Sequence, residues 1–381
     1  MIFSFADAYG MGANDVANSF ATSVASGTLT LKEAVCIAVF TEFIGAFFLG
    51  SQTSSTISGG IIDATRFKNQ PELLMLGMTT SVFGSATWVI FATSRGWPVS
   101  STHSVIGAII GMGIAAYGLE TVKWGYDGIA KIVTSCNGMP GPQPLIKELT
   151  QDEIAEIKEK TDIEEQKESQ SFMGRVKKIA LRGVNKDVRS LDNPELESIH
   201  ARAKKYDNDT ELLFEFIQVL TSCAASFAHG SNDVSNAVGP LSAVYHIWKT
   251  AQVPNDQTKV ALWNLAYCAI GIDIGLATYG YHLMRTLGNN ITYTTPSRGF
   301  AAELGTSLTI VTASRIGIPV STTHCITGAM VGVGLCNGDM KAINWKMFAV
   351  CFLSWVITLP AAGLLSGILF ALIAYSPQKN S

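Results

Sequence analysis

The chain has 381 residues, 48% of them hydrophobic, with 27 Lys and Arg against 30 Asp and Glu and a formal net charge of −3. Thirteen acids and thirteen bases crowd into residues 145–206, leaving 31 charges for the other 319 positions, about one in ten where a soluble domain carries about one in four. That distribution excludes a soluble multidomain enzyme and a disordered scaffold, and without a basic cluster the chain offers nucleic acid no electrostatic footprint.

Taken in chain order, three parts emerge. Residues 1–136 are apolar and rich in Gly, Ser and Thr; 137–208 are polar; 209–381 are apolar again. The beginning lacks a basic region followed by a short apolar core and a cleavage site, so no removable signal peptide is expected. Uncharged runs at 73–94, 96–119, 316–338 and 347–378 each reach the roughly 20 residues that cross a bilayer as a helix. The reading is an all-α polytopic membrane protein. The polar part opens on GMPGPQP, whose Pro and Gly break helices, and continues into charged stretches such as QDEIAEIKEK. It reads as a cytoplasmic loop, a side favoured by Arg175, Lys177, Lys178 and Arg182. Seven cysteines, Cys36, Cys136, Cys223, Cys268, Cys325, Cys336 and Cys351, stand singly and read as reduced, buried small hydrophobes.

The two apolar parts repeat each other. GANDVANS at 12–19 recurs as GSNDVSNA at 230–237, and SRGWPVSSTHSVIGAIIGMG at 94–113 recurs as SRIGIPVSTTHCITGAMVGVG at 314–334, in the same order. Duplicated units of this kind build many transporters, with substrate and ion sites between the copies near the midplane. Whether the copies are parallel or inverted depends on the number of spans between them.

In the first motif, Asn14, Asp15 and Asn18, with counterparts Asn232, Asp233 and Asn236, share one helix face at spacings of three and four. A carboxylate in apolar surroundings is costly unless neutralised, and its oxygens, with those of the amides, are hard ligands suited to Na+. Gly10, Gly12 and Gly230 beside the motifs are expected to let the helix break and free carbonyls as further ligands. The alternative is a pair of polar packing contacts.

In the second motif, Pro98 and Pro319 suit the first turn of a helix, which would put Ser100, Ser101 and Thr102, and Ser321, Thr322 and Thr323, at exposed helix N-termini. Such ends bind anions through free N–H groups and the helix dipole. His103 and His324 would add a donor or sense pH. Two ends facing each other would surround a tetrahedral oxyanion; an ordinary Ser/Thr cap is the plainer reading. Gly107 with Gly111 and Gly328 with Gly332 fit close helix contact. Glu42, Asp273 and Glu303 are further acids in apolar stretches, suited to a cavity or to pairing with a neighbouring helix. Arg95 and Arg315, just before the second motif, would attract phosphate or snorkel to the interface.

GANDVAN, HGSNDVSN, PVSSTH and PVSTTH resemble the signature motifs of the inorganic phosphate transporter (PiT) family, and closely resemble those of its eukaryotic sodium-dependent phosphate symporters. The likeness covers some 300 residues. It implies two inverted-topology repeats, helical hairpins whose tips meet at a midplane site, and a large intracellular loop between the halves. The family's phosphate site would fall on Ser100, Ser101, Thr102, Ser321, Thr322, Thr323, Asp15 and Asp233. Its Na+ ligands would fall on Asn14, Asp15, Asn18, Asn232, Asp233 and Asn236. Glu42, His229 and Glu303, with His103 and His324, are the candidates for coupling. The first repeat, 1–136, lacks the last helices of that family pattern, because WGYDGIAKIVTS runs at once into the polar loop.

The expected function is import of inorganic phosphate coupled to Na+ by alternating access, with no catalytic residue and no cofactor. Coupling to H+, or passage of another oxyanion, is the nearest alternative. A nontransporting phosphate sensor and a membrane-embedded phosphatase are alternatives of another class. The expected partners are phosphate, Na+ or H+, the lipid bilayer and a second copy in a homodimer, at the plasma membrane.

Overall fold

The computed structural model describes residues 1–124, 194–205, 207–255, 258–288 and 290–376. Among them the elements are helices, short 3-10 turns and two isolated bridges. The first repeat holds α1 (Ile2–Asn14), α2 (Val16–Ser26), α3 (Leu31–Gly59), α4 (Pro71–Ser94) and α5 (Ser101–Tyr117). A short α6 (Pro194–Ala201) precedes the second, which holds α7 (Asn208–Thr250), α8 (Leu262–Tyr279), α9 (Tyr281–Gly288), α10 (Pro296–Arg315), α11 (Thr322–Leu335) and α12 (Trp345–Ala374). Four of these, α3, α4, α7 and α12, are long and apolar enough to cross a membrane. Their apolar side chains point outward as well as inward: Phe40 and Phe48 on α3, Phe216 on α7 and Leu364 and Leu372 on α12 are all exposed, as lipid-facing residues are.

The uncharged runs at 96–119 and 316–338 are not full spans. Each divides into an extended segment and a short helix, α5 of 17 residues and α11 of 14. At 1.5 Å per residue these are about 25 and 21 Å long, short of a hydrocarbon core about 30 Å thick. The extended segments begin where Gly96 and Gly317 adopt φ of 70° and 73°, the left-handed region that lets α4 and α10 end in a tight reversal. Each helix pair is then a hairpin, closed at its base by one bridge, Ile62 to Val122 in the first copy and Thr292 to Ile343 in the second.

Packing crosses between the repeats. Helix α1 lies on α8, and α7 lies on α3. A Cβ on Gly12 would stand 1.8 Å from the Ile272 carbonyl oxygen, and one on Gly230 would stand 2.3 Å from the Glu42 carbonyl oxygen. The two contacts are reciprocal, the same glycine of each motif pressed on the other repeat's next helix. These glycines permit close approach rather than a break. The break falls at Asp15, which ends α1 and begins α2, whereas α7 continues unbroken through Asp233. Gly107 and Gly111 pack closely too, on Leu359 and Gly363 of α12, but Gly328 on α11 meets nothing within 4 Å.

Most of the polar part at 137–208, and residues 125–136 where the first repeat is expected to stop short of its last helices, lie outside the described residues. Its end is docked: Leu196 and His200 of α6 are buried, the His200 ring lies 5.1 Å from that of Tyr293, and Arg202 pairs with Asp339 at 3.9 Å. Among the described cysteines there is no disulfide, and Cys268 and Cys351 are buried as expected. Cys36 and Cys336 are exposed and Cys223 and Cys325 only half-buried, so the expectation of burial fails for these four, and Cys136 lies outside the described residues.

Because the Gly12 contact is backbone against backbone, Gly12→Ala should lower stability by about 1–3 kcal/mol or more through overpacking. Thermal unfolding of the detergent-solubilised protein checks this; Gly328→Ala, which meets open space, should leave the midpoint unchanged.

Candidate functional site

The centre of the molecule is built from the two motifs of each repeat. Asn14 is a latch. Its Nδ2 donates to Thr93 Oγ1 at 2.8 Å and to the Trp97 carbonyl at 3.1 Å, and its Oδ1 accepts from Val99 N at 3.2 Å. Asn232 repeats the pattern, donating to Ser314 Oγ at 3.0 Å and the Ile318 carbonyl at 3.3 Å and accepting from Val320 N at 3.2 Å. Each amide thus holds the extended tip of its own repeat's hairpin, whose backbone groups would otherwise be unpaired in a dry interior.

Asn18 and Asn236 reach across. Asn18 Nδ2 donates to Thr323 Oγ1 at 2.8 Å, and Asn236 Nδ2 donates to Ser101 Oγ at 3.1 Å and Thr102 Oγ1 at 3.2 Å. The tips also bind each other: Thr102 Oγ1 donates to the Val320 carbonyl at 3.1 Å, and Thr323 Oγ1 lies 3.0 Å from the Val99 carbonyl and 2.8 Å from Asp15 Oδ1. Thr322 Oγ1 donates to Asp233 Oδ2 at 2.8 Å. Ser100 and Ser321 are the N-caps of α5 and α11, each accepting from the backbone N–H of the histidine three residues on, at 3.2 Å. The prolines therefore lie two residues ahead of the caps, in the extended tips, and not in the first helical turn. His103 Nδ1 lies 2.8 Å from Ser100 Oγ, and His324 Nδ1 bonds Ser321 Oγ. The two imidazoles stack at 4.8 Å, with Trp355 3.8 Å beyond His324. Two helix N-termini thus meet at the centre, with Asp15 and Asp233 beside them.

Four buried oxygens there accept no hydrogen bond from the described residues: Asp15 Oδ2, Asn18 Oδ1, Asp233 Oδ1 and Asn236 Oδ1. Two of them come from each repeat. The two acids lie within electrostatic reach of each other, with spare hard oxygens and, among the described residues, the His229 imidazole as the basic group that bears on them, a chemistry that could accept cations. The helix ends and hydroxyls beside them present the opposite polarity, suited to an oxyanion.

The sequence profile described as the phosphate transporter family matches residues 11–366. The chain belongs to the phosphate transporter family.

Among its relatives, the phosphate-repressible phosphate permease pho-4 of Neurospora crassa is 30% identical in an alignment covering 99% of this chain and 97% of that protein. The chloroplastic inorganic phosphate transporter 2-1 of Arabidopsis thaliana is 32% identical, over 96% of this chain and 70% of that one. A solved structure titled the sodium-dependent phosphate transporter superposes with a TM-score of 0.75 and 28% identity, covering 99% of this chain and 98% of that chain. The family transports phosphate and is not a family of enzymes, so the phosphatase alternative falls away.

In this family member the remaining expected residues divide. Glu42 and His229 join the centre: His229 Nδ1 lies 2.7 Å from Glu42 Oε2, and Nε2 lies 3.1 Å from Asp233 Oδ2. Ser226 Oγ donates to Glu42 Oε1 at 2.7 Å and is itself backed by Thr41. Glu303 stands in a separate polar nest, accepting from Thr22 at 2.5 Å, Ser23 at 2.6 Å, Thr221 at 2.7 Å and Gln218 at 3.3 Å. Arg95 and Arg315 are exposed and stay outside, Arg95 lying 5.4 Å over the Phe91 ring. Exposure away from the centre fits the interfacial reading better than a direct part in holding an anion. Thr93, Ser314, Thr22, Ser23, Gln218 and Thr221 were not singled out from the sequence. Thr93 and Ser314 could have been found from the repeat register, since both precede the tip by the same number of residues. The hydroxyls around Glu303 carry no such signal.

Since Asn14 and Asn232 hold the tips, Asn14→Ala and Asn232→Ala should each lower stability by about 1–3 kcal/mol by leaving buried backbone groups unpaired. Unfolding in detergent would show this, and phosphate uptake should fall in parallel because the N-termini lose their positions.

Proposed function

We propose that the chain imports inorganic phosphate together with Na+, by alternating access of the two repeats around the shared centre. The observation that carries this reading is the set of four spare buried oxygens, two from each repeat, set against two facing helix N-termini. Cations held by Asp15, Asn18, Asp233 and Asn236 would offset the acids and lower the cost of bringing a phosphate of charge between −1 and −2 into a low-dielectric site. The phosphate would be held by Ser101, Thr102, Thr322 and Thr323 and the free N–H groups of α5 and α11. No permanent cation is fixed among these groups, so release follows once Na+ leaves. Asn14, Asn232, Ser100 and Ser321 act by positioning, because their own bonds hold the tips and caps.

The reciprocal packing of α1 on α8 and α7 on α3 supports rocking, since each repeat carries half of the other's support and the centre lies at their junction. The description of a solved relative as sodium-dependent supports the choice of ion. A second reading, coupling to H+, is favoured by His229 between Glu42 and Asp233, because an imidazole held by two carboxylates can carry a proton to one cation half-site.

Reconstituted vesicles test the proposal. An inward Na+ gradient should drive accumulation of labelled phosphate, and Asp15→Asn and Asp233→Asn should each abolish it while the protein remains in the membrane. Accumulation under an H+ gradient alone would favour the second reading. Binding of phosphate without accumulation would sink both and favour a sensor, and equal transport of sulfate would overturn selectivity for phosphate.

A further inference from the structure

Asp7 takes no part in the centre just described. It lies on α1, wholly buried, and neither carboxylate oxygen accepts a hydrogen bond from the described residues. At 1.5 Å per residue it is about 12 Å along the helix axis from Asp15. Helices α1 and α4 run parallel here in one register: the Phe3 and Phe83 rings are 5.1 Å apart, Gly10 packs on Val89, and Asn14 bonds Thr93. In that seam the polar group facing Asp7 is Ser85 of α4, whose buried hydroxyl is the one side chain that bears on the carboxyl as a hydrogen-bonding partner, although no bond of ordinary geometry closes between them among the described residues. The titratable groups that bear on it are Asp15 of its own helix and the buried Cys268 of α8, which also feels the amino terminus. Among the described residues no basic side chain acts on Asp7.

The contrast with Glu303 sharpens the point. Glu303 lies in the matching seam of the second repeat, between α7 and α10, where four side chains donate to it. The register that pairs Asn14 with Asn232 pairs Asp7 with Ala225, and the one that pairs Thr93 with Ser314 pairs Ser85 with Thr306. The second repeat keeps the hydroxyl and drops the acid. A buried acid with one hydroxyl beside it and no counter-charge among the described residues is carried at low cost only when a proton or a metal cation neutralises it.

We infer that Asp7, with Ser85, forms a further monovalent-cation site, for Na+ or H+, in the seam between α1 and α4. The inference rests on the cation-coupled reading above for its purpose, but not for its test. Purified protein without phosphate is used, and two quantities are measured: 22Na+ bound at equilibrium, and protons taken up when the pH is stepped. Asp7→Asn should bind about one Na+ fewer per chain if the site takes Na+, or should take up about one proton fewer at unchanged Na+ count if it takes H+. Both counts unchanged would overturn the site. Should Asp7→Asn fail to yield monodisperse protein, Ser85→Ala keeps the carboxylate and should weaken Na+ binding several-fold or shift the proton midpoint; neither change would also overturn it. Failure of the transport reading would appear separately, as wild-type vesicles that accumulate no phosphate.

Discussion

A helix that starts inside a bilayer leaves its first N–H groups without water to bond, and the rest of this structure is arranged around that constraint. Helices α5 and α11 both start deep in the protein, away from water, with Ser100, Ser101, Thr102, Ser321, Thr322 and Thr323 all buried. Their ends are tolerable because each is capped by its own serine, because the extended tips before them are held by Asn14 and Asn232, and because the two tips bind each other through Thr102 and Thr323. The leftover electropositive character is what an oxyanion would use. The acids beside it then have two roles at once. Asp15 accepts from Thr323 and Asp233 from Thr322, which orients the hydroxyls, while the second oxygen of each remains spare.

Duplication makes this arrangement attainable. Each motif has one asparagine turned to its own repeat and one turned to the other, so the same eight-residue pattern supplies both an internal latch and a bond across the molecular junction. The close contacts at Gly12 and Gly230 follow the same exchange. A movement of one repeat relative to the other would strain the crossing bonds of Asn18 and Asn236 while leaving the latches of Asn14 and Asn232 intact. The tips would travel as rigid parts, and the changes would concentrate at the junction where the spare oxygens and helix ends lie.

The repeat was legible from the sequence because both motifs recur in order, and so were the residues at the centre, since hydroxyls and acids in apolar stretches have few structural uses. What those residues do divided differently. Asn14 and Asn18 are alike on the page, four positions apart on one face, yet one holds a backbone tip and the other crosses to Thr323; only the path of residues 95–100 decides between them. The glycines were read as breaks because Gly weakens a helix, but contact with a neighbouring backbone won. The uncharged runs at 96–119 and 316–338 overstated two helices, because a polar but uncharged tip such as WPVSS counts as apolar when only charge is tallied. Asp7 stood out less than Asp15 for one reason, that it is not duplicated.

The departures from symmetry are therefore the informative residue differences. The register sets His229 opposite Met11, and the reciprocal glycine contacts set Glu42 opposite Ile272. Asp233 thus has an imidazole and a second acid behind it, and Asp15 has neither. Asp7 opposes Ala225, and Glu303 opposes Val82 by the register of the hairpins. The asparagines and hydroxyls at the centre are neutral and duplicated, whereas the acids Glu42, Asp7 and Glu303 have no counterpart and lie behind one half-site or along one seam. An anion cradle built from two equal helix ends needs symmetry, because a tetrahedral oxyanion is surrounded best from both sides. If cations enter and leave from opposite faces, as proposed above, they meet different requirements on each face, and unequal acids would let one chain meet both.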